Sequence, residues 1–418
     1  MRALRAVVPV AAIASVVVLV SVLYALGYYE QYHALLQHWG ALPFRVPFLD
    51  MHAVTSAVEC HRLGFDVYVQ NPCDVFQRPH GYSPVWLWLA VLPITTAWDN
   101  ILGLATVLLF LVALLFLPPG RGWWQTAIIT LGTVSSVVAY ALERSNADLL
   151  MFVLATIGMT LNQRCGPWRM IGYAIAFFAG TLKFYPASLL ILAVRERLGV
   201  FIAIGFIAVG VIALWFALDG RDILRGMANI PTTSYFDDNI FGVRDLPFGL
   251  AQLFGLGRLA AVALLVVLLA AMLGCAVLLA SRDGLVSRIR SLTEAEATCL
   301  LTGCVLIVSC FLAAQNSLYR AICLLFVLPG LTALARNPAT VGLIIILMWT
   351  SGLRALIDAL LDRFGVAMLP GGIAHAGIWL VRELAWWFVI TMLSALMLRL
   401  VWDSRARQGA GCVMVAST

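Results

Sequence analysis

Long apolar runs, broken by short polar clusters, follow one another along nearly the whole chain. A run of about 20 apolar residues has the length of a helix crossing a bilayer, whereas a transmembrane barrel needs shorter segments of alternating polarity. The pattern predicts spans over 6–27, 101–117, 124–142, 147–161, 198–217, 259–280, 296–314, 320–335, 339–357 and 377–400, with a broken hairpin over 170–194. The expected fold is therefore a single all-α, polytopic transmembrane domain over 1–418, with about 11–13 spans including the short hairpin. The segment 84–98 is short and holds Pro84 and Pro93, so it is expected as an interfacial helix with Trp86 and Trp88 at headgroup level.

The 170–194 stretch decides the parity of everything after it. Arg-containing clusters flank it on both sides, NQRCGPWR before and Arg195-Glu-Arg197 after, and the positive-inside rule places both in the cytoplasm. The chain then enters and returns, turning near Lys183-Phe-Tyr-Pro186; the alternative is one straight span kinked at the proline. With the hairpin, both termini are cytoplasmic and two long segments, 28–100 and 218–258, face outside. Long ordered connections of this kind are usually functional.

Composition narrows the class further. The 418 residues are 62% hydrophobic and only 11% charged, where soluble domains carry about 25% charged residues. The net charge of +6 is spread over short loops with no soluble basic domain, so the charges read as topology signals and nucleic acid is not an expected partner. Lys183 is the only lysine in the chain and lies inside an apolar stretch. No cysteine or histidine spacing suggests a metal site, and no cofactor is implied.

The first long segment holds the densest chemistry. Asp50 opens a helix-like run that ends at Gly64, so it is either the helix N-cap or a general base held at a helix start. Cys60 and Cys73 share this outer segment and are expected to form a disulfide, the alternative being two free thiols. Glu143-Arg-Ser-Asn-Ala-Asp148 places charges and an amide between two apolar runs, where Ser145 or Asn146 would cap the following helix. Lys183 needs a partner in hydrocarbon: either a carboxylate of this cluster or a bound phosphate. Arg320, in Asn-Ser-Leu-Tyr-Arg, is either a second phosphate contact or a snorkelling interfacial arginine. Asp237-Asp238 and Arg244-Asp245 in the second long segment are the weakest candidates: an Asp pair could hold a divalent cation, but most exposed acidic pairs are solvated turns.

The order of these features resembles the integral-membrane GT-C glycosyltransferases, most closely glycosyltransferase family 87. The features are an early Phe48-Leu-Asp50, a Tyr82-Ser-Pro84 exit, ERSNAD, and Leu182-Lys-Phe-Tyr-Pro186 followed by Arg195-Glu-Arg197. The likeness covers about residues 1–200, with NSLYR compatible beyond. It implies a GT-C-like fold and transfer of a mannose- or arabinose-type sugar, with inversion, from a polyprenyl-phosphate donor. The acceptor would be a hydroxyl of a glycolipid or glycan at the outer face of the inner membrane. On that resemblance Asp50 is the base, Lys183 and Tyr185 belong to the donor-binding motif, and Arg144 or Arg320 contacts the donor phosphate. Glu143, Asn146 and Asp148 shape the sugar pocket. Ser145 stands where the family often has glycine, and the second acidic residue common beside the first in other GT-C enzymes is missing. Metal dependence and the base assignment, between Asp50 and His52, therefore both stay open.

Two other functions share parts of this pattern. A transporter or flippase for a lipid-linked saccharide would thread polar residues through many spans to the midplane. A surface-polysaccharide polymerase or ligase would carry its dominant outer loop late in the chain, whereas here it comes first.

Overall fold

A computed structural model of the chain describes residues 1–406 apart from 42, 45, 165, 314, 336–337 and 364–371; the expected cytoplasmic C-terminal tail, from 407 on, lies outside the described residues. The structure is built of helices, and among the described residues the one strand pair is Ile240–Phe241 against Asn316–Ser317, antiparallel. Among the described residues, six helices are long and apolar enough to cross a membrane: Arg2–Ala25, Thr96–Leu114, Leu198–Ala228, Arg258–Ala280, Glu294–Ala313 and Ala374–Ser404. Two bent pairs, Trp123–Thr133 with Ser136–Arg144 and Pro338–Met348 with Thr350–Leu361, raise the number to eight if each is one span. By length and composition this is a multi-pass membrane protein. The count is below the expected 11–13 because several apolar segments, such as Ala147–Asn162 and Tyr185–Arg195, make helices of only 16 and 11 residues, shorter than the roughly 20 needed to cross alone.

The chain divides into two compact units. One comprises residues 1–43, 114–141 and 233–400; the other comprises 44–113, 142–232 and the remainder from 401. In the first, Glu294–Ala313 packs on Leu324–Leu334, and Trp123–Thr133 packs on both Arg2–Ala25 and Leu324–Leu334. Its interior is aromatic: Phe241 stacks on Trp386 at 4.6 Å, and Phe311 meets Trp387 edge-on at 5.3 Å. The second long segment from residue 233 on is ordered within this unit. Asp238 accepts from Arg382 at 3.1 Å and Trp379 Nε1 donates to the Tyr235 carbonyl at 2.8 Å.

The second unit holds the first long segment from residue 44 on, together with the hairpin. The hairpin is antiparallel, as expected from the flanking charges. Helix Pro167–Leu182 ends at Lys183, whose backbone is extended, and a 3-10 helix runs back over Tyr185–Arg195. A Cβ on Gly180 would lie 2.7 Å from the Ala187 Cβ, the Tyr173 hydroxyl lies 3.4 Å from the Leu192 carbonyl, and Arg169 donates to Glu196 at 3.0 Å. Those pairings step away from the turn on both arms together, which a straight kinked span cannot do. Helix Leu198–Ala228 continues well past the expected end at 217, through Asp219-Gly-Arg-Asp222, and its last turn is tied down by an Arg225–Asp66 ion pair.

The 84–98 segment differs from the expected interfacial helix. It forms two 3-10 stretches, Pro84–Val91 and Thr96–Trp98, and Trp86 is buried while Trp88 is exposed. Trp86 sits inside because its Nε1 donates to the Leu182 carbonyl at 3.3 Å, which satisfies the one polar atom of an otherwise apolar ring.

Candidate functional site

Helix Leu49–Arg62 carries Asp50, and its local geometry overturns the capping alternative. The N-cap position is Phe48, in left-handed backbone at φ 57°, with no side-chain cap; Asp50 lies within the first turn. The Phe48 N–H instead donates to the Glu143 carbonyl at 3.0 Å, and the Phe48 ring lies where a Cβ on Gly103 would be, 2.4 Å from its Cδ2. The helix start is thus pinned from outside, and the Asp50 side chain is released for other contacts. At the far end Gly64, at φ 89°, makes the expected left-handed exit.

The ERSNAD cluster lies across the break between helices Ser136–Arg144 and Ala147–Asn162. Ser145 takes φ 42°, the left-handed backbone that favours glycine, and its hydroxyl donates to the Gly103 carbonyl at 3.1 Å. The physical need for glycine at this position is therefore real, and a serine meets it at some strain. Asn146, not Ser145, is the cap: its Oδ1 accepts from the Asp148 N–H at 2.8 Å.

Asn146 does more than cap. The same Oδ1 accepts from Lys183 Nζ at 3.0 Å, and Nδ2 donates to Asp50 Oδ2 at 2.5 Å. Lys183 also donates to Asp148 Oδ2 at 2.7 Å, and the Tyr185 hydroxyl donates to Asp148 Oδ1 at 2.8 Å. Five expected site residues therefore form one connected set: Asp50, Asn146, Lys183, Asp148, Tyr185. Of the carboxylates of this cluster, Asp148 is the one that Lys183 bonds. Asp148 and Asn146 are fully buried and Lys183 is 8% exposed, so the pair replaces hydration that the ammonium could not otherwise recover.

Arg144 and Glu143 flank Asp50 on another side. Arg144 Nη1 is 3.7 Å from Asp50 Oδ1 and its Nε is 3.3 Å from Glu143 Oε2. The Arg144 guanidinium lies 4.1 Å over the Phe44 ring, while Glu143 Oε1 accepts from the Phe44 N–H at 3.3 Å.

His52 lies one turn on, and both its ring nitrogens are engaged. Nε2 accepts from the Val75 N–H at 3.1 Å, so Nδ1 carries the hydrogen and donates to Asp99 at 2.7 Å. A buried imidazole used as both acceptor and donor in this way has no ring nitrogen left over for a further partner. Arg320 belongs to the first unit, where its guanidinium donates to Asn316 Oδ1.

Cys60 and Cys73 are bonded, as expected. The bridge anchors the segment that follows, where two residues were not anticipated. Asp74 is fully buried and accepts from the N–H groups of Phe76 and Arg78 at 2.8 and 3.3 Å, and Arg78 Nε and Nη2 both bond its carboxylate. Burial works to raise the Asp74 pKa, and the arginine with these backbone donors outweighs it, holding the carboxyl below its usual range. Arg78 Nη2 also donates to the Leu49 carbonyl at 3.3 Å, one residue from Asp50. The signal available in the sequence was the Asp-x-x-x-Arg spacing between Pro72 and Pro79.

Among the described residues no group of three or more His, Cys, Asp or Glu side chains is placed to hold a metal ion. Comparison with protein families, with characterised proteins and with solved structures finds no match for this chain.

Proposed function

We propose that this protein is a GT-C-type membrane glycosyltransferase, similar to family 87, that uses a polyprenyl-phosphate-linked sugar of the mannose or arabinose type. The acceptor is a hydroxyl of a glycolipid or glycan, reached at the outer (periplasmic) face of the inner membrane. The observation that carries the reading is the Asp50 carboxylate. It is half-buried, aimed by Asn146 and faced by Arg144, on a helix of the long first segment.

In this reading Asp50 accepts the proton of the acceptor hydroxyl as that oxygen attacks the anomeric carbon. The bond from that carbon to the phosphate oxygen breaks from the opposite face, which inverts the configuration. The electron pair leaves with the polyprenyl phosphate, and nearby cations stabilise its developing charge. Asp50 then returns its proton to solvent. Asn146 holds the carboxylate in line, while Glu143 and Asp148 stay paired with Arg144 and Lys183 and so leave Asp50 as the carboxylate available to the acceptor.

The test is release of free polyprenyl phosphate by the purified protein in lipid, supplied with a panel of donors and an acceptor extract. Asp50→Asn keeps the shape and the Asn146 neighbour, and its turnover is expected to fall by about 100-fold or more, the scale of a general base. Turnover that survives Asp50→Asn would remove Asp50 from the role. Transport of a lipid-linked sugar without release of the carrier would replace the enzyme by a flippase.

A further inference from the structure

The segment behind the disulfide holds a cation that the reaction described above leaves unused. Arg78 is clamped along one edge: Nε bonds both Asp74 oxygens at 3.1 Å, and Nη2 bonds Asp74 Oδ2 at 2.7 Å and the Leu49 carbonyl at 3.3 Å. Nη1 has no hydrogen bond or ion pair among the described residues, and the side chain is 36% exposed. A buried carboxylate thus fixes one edge of the guanidinium and presents the other.

Two aromatic rings join this open edge to the surroundings of Asp50. Arg78 lies 5.6 Å over the Phe76 ring, Phe76 meets Phe44 edge-on at 6.0 Å, and Phe44 lies beneath Arg144. Phe76 and its neighbour Val75 are both more than half exposed, at 54% and 55%. An accessible, oriented guanidinium beside exposed apolar side chains suits a ligand with an anionic head and a hydrocarbon chain.

The cations expected to meet a phosphate compare poorly with it. The Lys183 side chain is 8% exposed and bonded to Asp148 and Asn146, and the Arg144 side chain is 10% exposed between Glu143 and the Phe44 ring. A phosphate arriving from the bilayer must displace those partners to reach either one, whereas the open edge of Arg78 needs no displacement.

We propose that Arg78 is the phosphate-binding residue of an amphiphile subsite beside Asp50, with Phe76 and Val75 receiving the first part of the hydrocarbon chain. Asp74 is its positioning residue. That the amphiphile is the sugar carrier rests on the glycosyltransferase reading; the phosphate chemistry does not. The carrier phosphate, a phospholipid headgroup and free phosphate share that chemistry, and the test separates them.

The full-length protein in phosphatidylcholine nanodiscs is titrated with a polyprenyl phosphate, the matching uncharged polyprenol, and inorganic phosphate, with binding read from intrinsic fluorescence. The wild type is expected to prefer the polyprenyl phosphate over the other two. Arg78→Gln should weaken that binding by about tenfold or more, the scale of one charge-assisted hydrogen bond, leaving the polyprenol unaffected. Arg78→Lys keeps a charge opposite Asp74 and should fall between the two, which guards against a glutamine variant that folds poorly. Arg62→Gln, at an exposed cation on helix Leu49–Arg62 whose Nη1 donates to the Leu92 carbonyl, should change nothing.

Equal binding by wild type and Arg78→Gln, or equal binding of phosphate and polyprenol, overturns the proposal. Inorganic phosphate binding as well as the polyprenyl phosphate removes the amphiphile. Phosphatidylglycerol nanodiscs that abolish carrier binding through Arg78 make the site a general headgroup site and overturn the carrier assignment. Turnover with a donor half-saturation unchanged in Arg78→Gln sinks this subsite while the enzyme reading stands. Phosphate binding through Arg78 with no donor turned over sinks the enzyme reading and keeps the subsite.

Discussion

Asn146 is where the interactions of the candidate site converge, and its amide can satisfy them in one orientation only. Its oxygen faces an N–H and an ammonium, so its nitrogen must face the Asp50 carboxylate. The Lys183–Asp148 pair beside it is buried, and breaking such a pair from one side costs about 3–5 kcal/mol because the remaining charge is stranded. Lys183→Met is therefore expected to lower the thermal unfolding temperature in detergent sharply, and adding Asp148→Leu should recover much of the loss. A double variant no more stable than the single one would show that the pair is not the reason. The ammonium's burial has a second consequence. As the only lysine in the chain, it should resist amine-reactive labelling in the folded protein and react on denaturation, leaving the N-terminal amine as the modified group in the native state. Native labelling at Lys183, mapped by peptide mass, would contradict the burial.

Two elements hold this residue set in place, the disulfide-closed segment and the hairpin. Cys60 lies on the helix that carries Asp50 and Cys73 directly precedes Asp74, thirteen positions along the chain. Closing a loop of that length stabilises by about 3 kcal/mol in the chain-entropy account. Reductant, or Cys60→Ser with Cys73→Ser, should lower the unfolding temperature by several degrees, and no change would mean that the bridge contributes nothing. In the hairpin, a Cβ on Gly180 would meet the Ala187 Cβ at 2.7 Å and its backbone at 2.9 Å. Backbone cannot swing aside as a side-chain tip can, so Gly180→Val should cost about 1–3 kcal/mol by overpacking and shift Lys183 at the hairpin turn. A variant as stable as the wild type would argue against the close approach of the two arms.

At the scale of the whole molecule, stability should depend on pH through two buried groups that act in opposite senses, one in each unit. Burial drives the His80 pKa from 6.5 down to about 4. The folded imidazole stays neutral where the unfolded one charges, so its contribution is complete above pH 6.5 and is lost as pH falls towards 4, a difference of about 3 kcal/mol. Asp245 goes the other way: burial, then repulsion from Glu383, lifts it from 3.8 to about 7, against a hydrogen bond from Gln315 and the charge of Arg382. Its contribution is complete below pH 3.8 and is lost as pH rises through 7, because the unfolded carboxyl ionises first. Thermal unfolding across pH should show His80→Gln flattening the acid limb and Asp245→Asn raising stability at pH 7 and above. Unchanged limbs in both variants would mean that these groups do not set the profile.

Hydropathy determined that the protein is helical and polytopic and where most of its apolar helices begin and end, and the charges flanking the 170–194 stretch pointed to the return that the structure shows. Each of those is a property of neighbouring residues: apolar length, a lysine and proline at a break, and arginines at the flanks. The disulfide and the helix exit at Gly64 were legible for the same reason. What the tertiary structure decided are the partners. Asp50 reads as a helix cap until Phe48 is seen to occupy that position, and nothing in the sequence pairs His52 with Val75 and Asp99, which engage both its nitrogens. Asn146 meets Asp50 across 96 positions and Asp148 meets Lys183 across 35; no local pattern encodes such distances. Fewer helices than expected are long enough to cross alone, because hydropathy measures how apolar a segment is, whereas crossing alone needs a continuous helix. A buried polar group must find its counterpart wherever the fold brings one, so composition announced that the charges of the candidate site would be paired and only the packed chain decided with what.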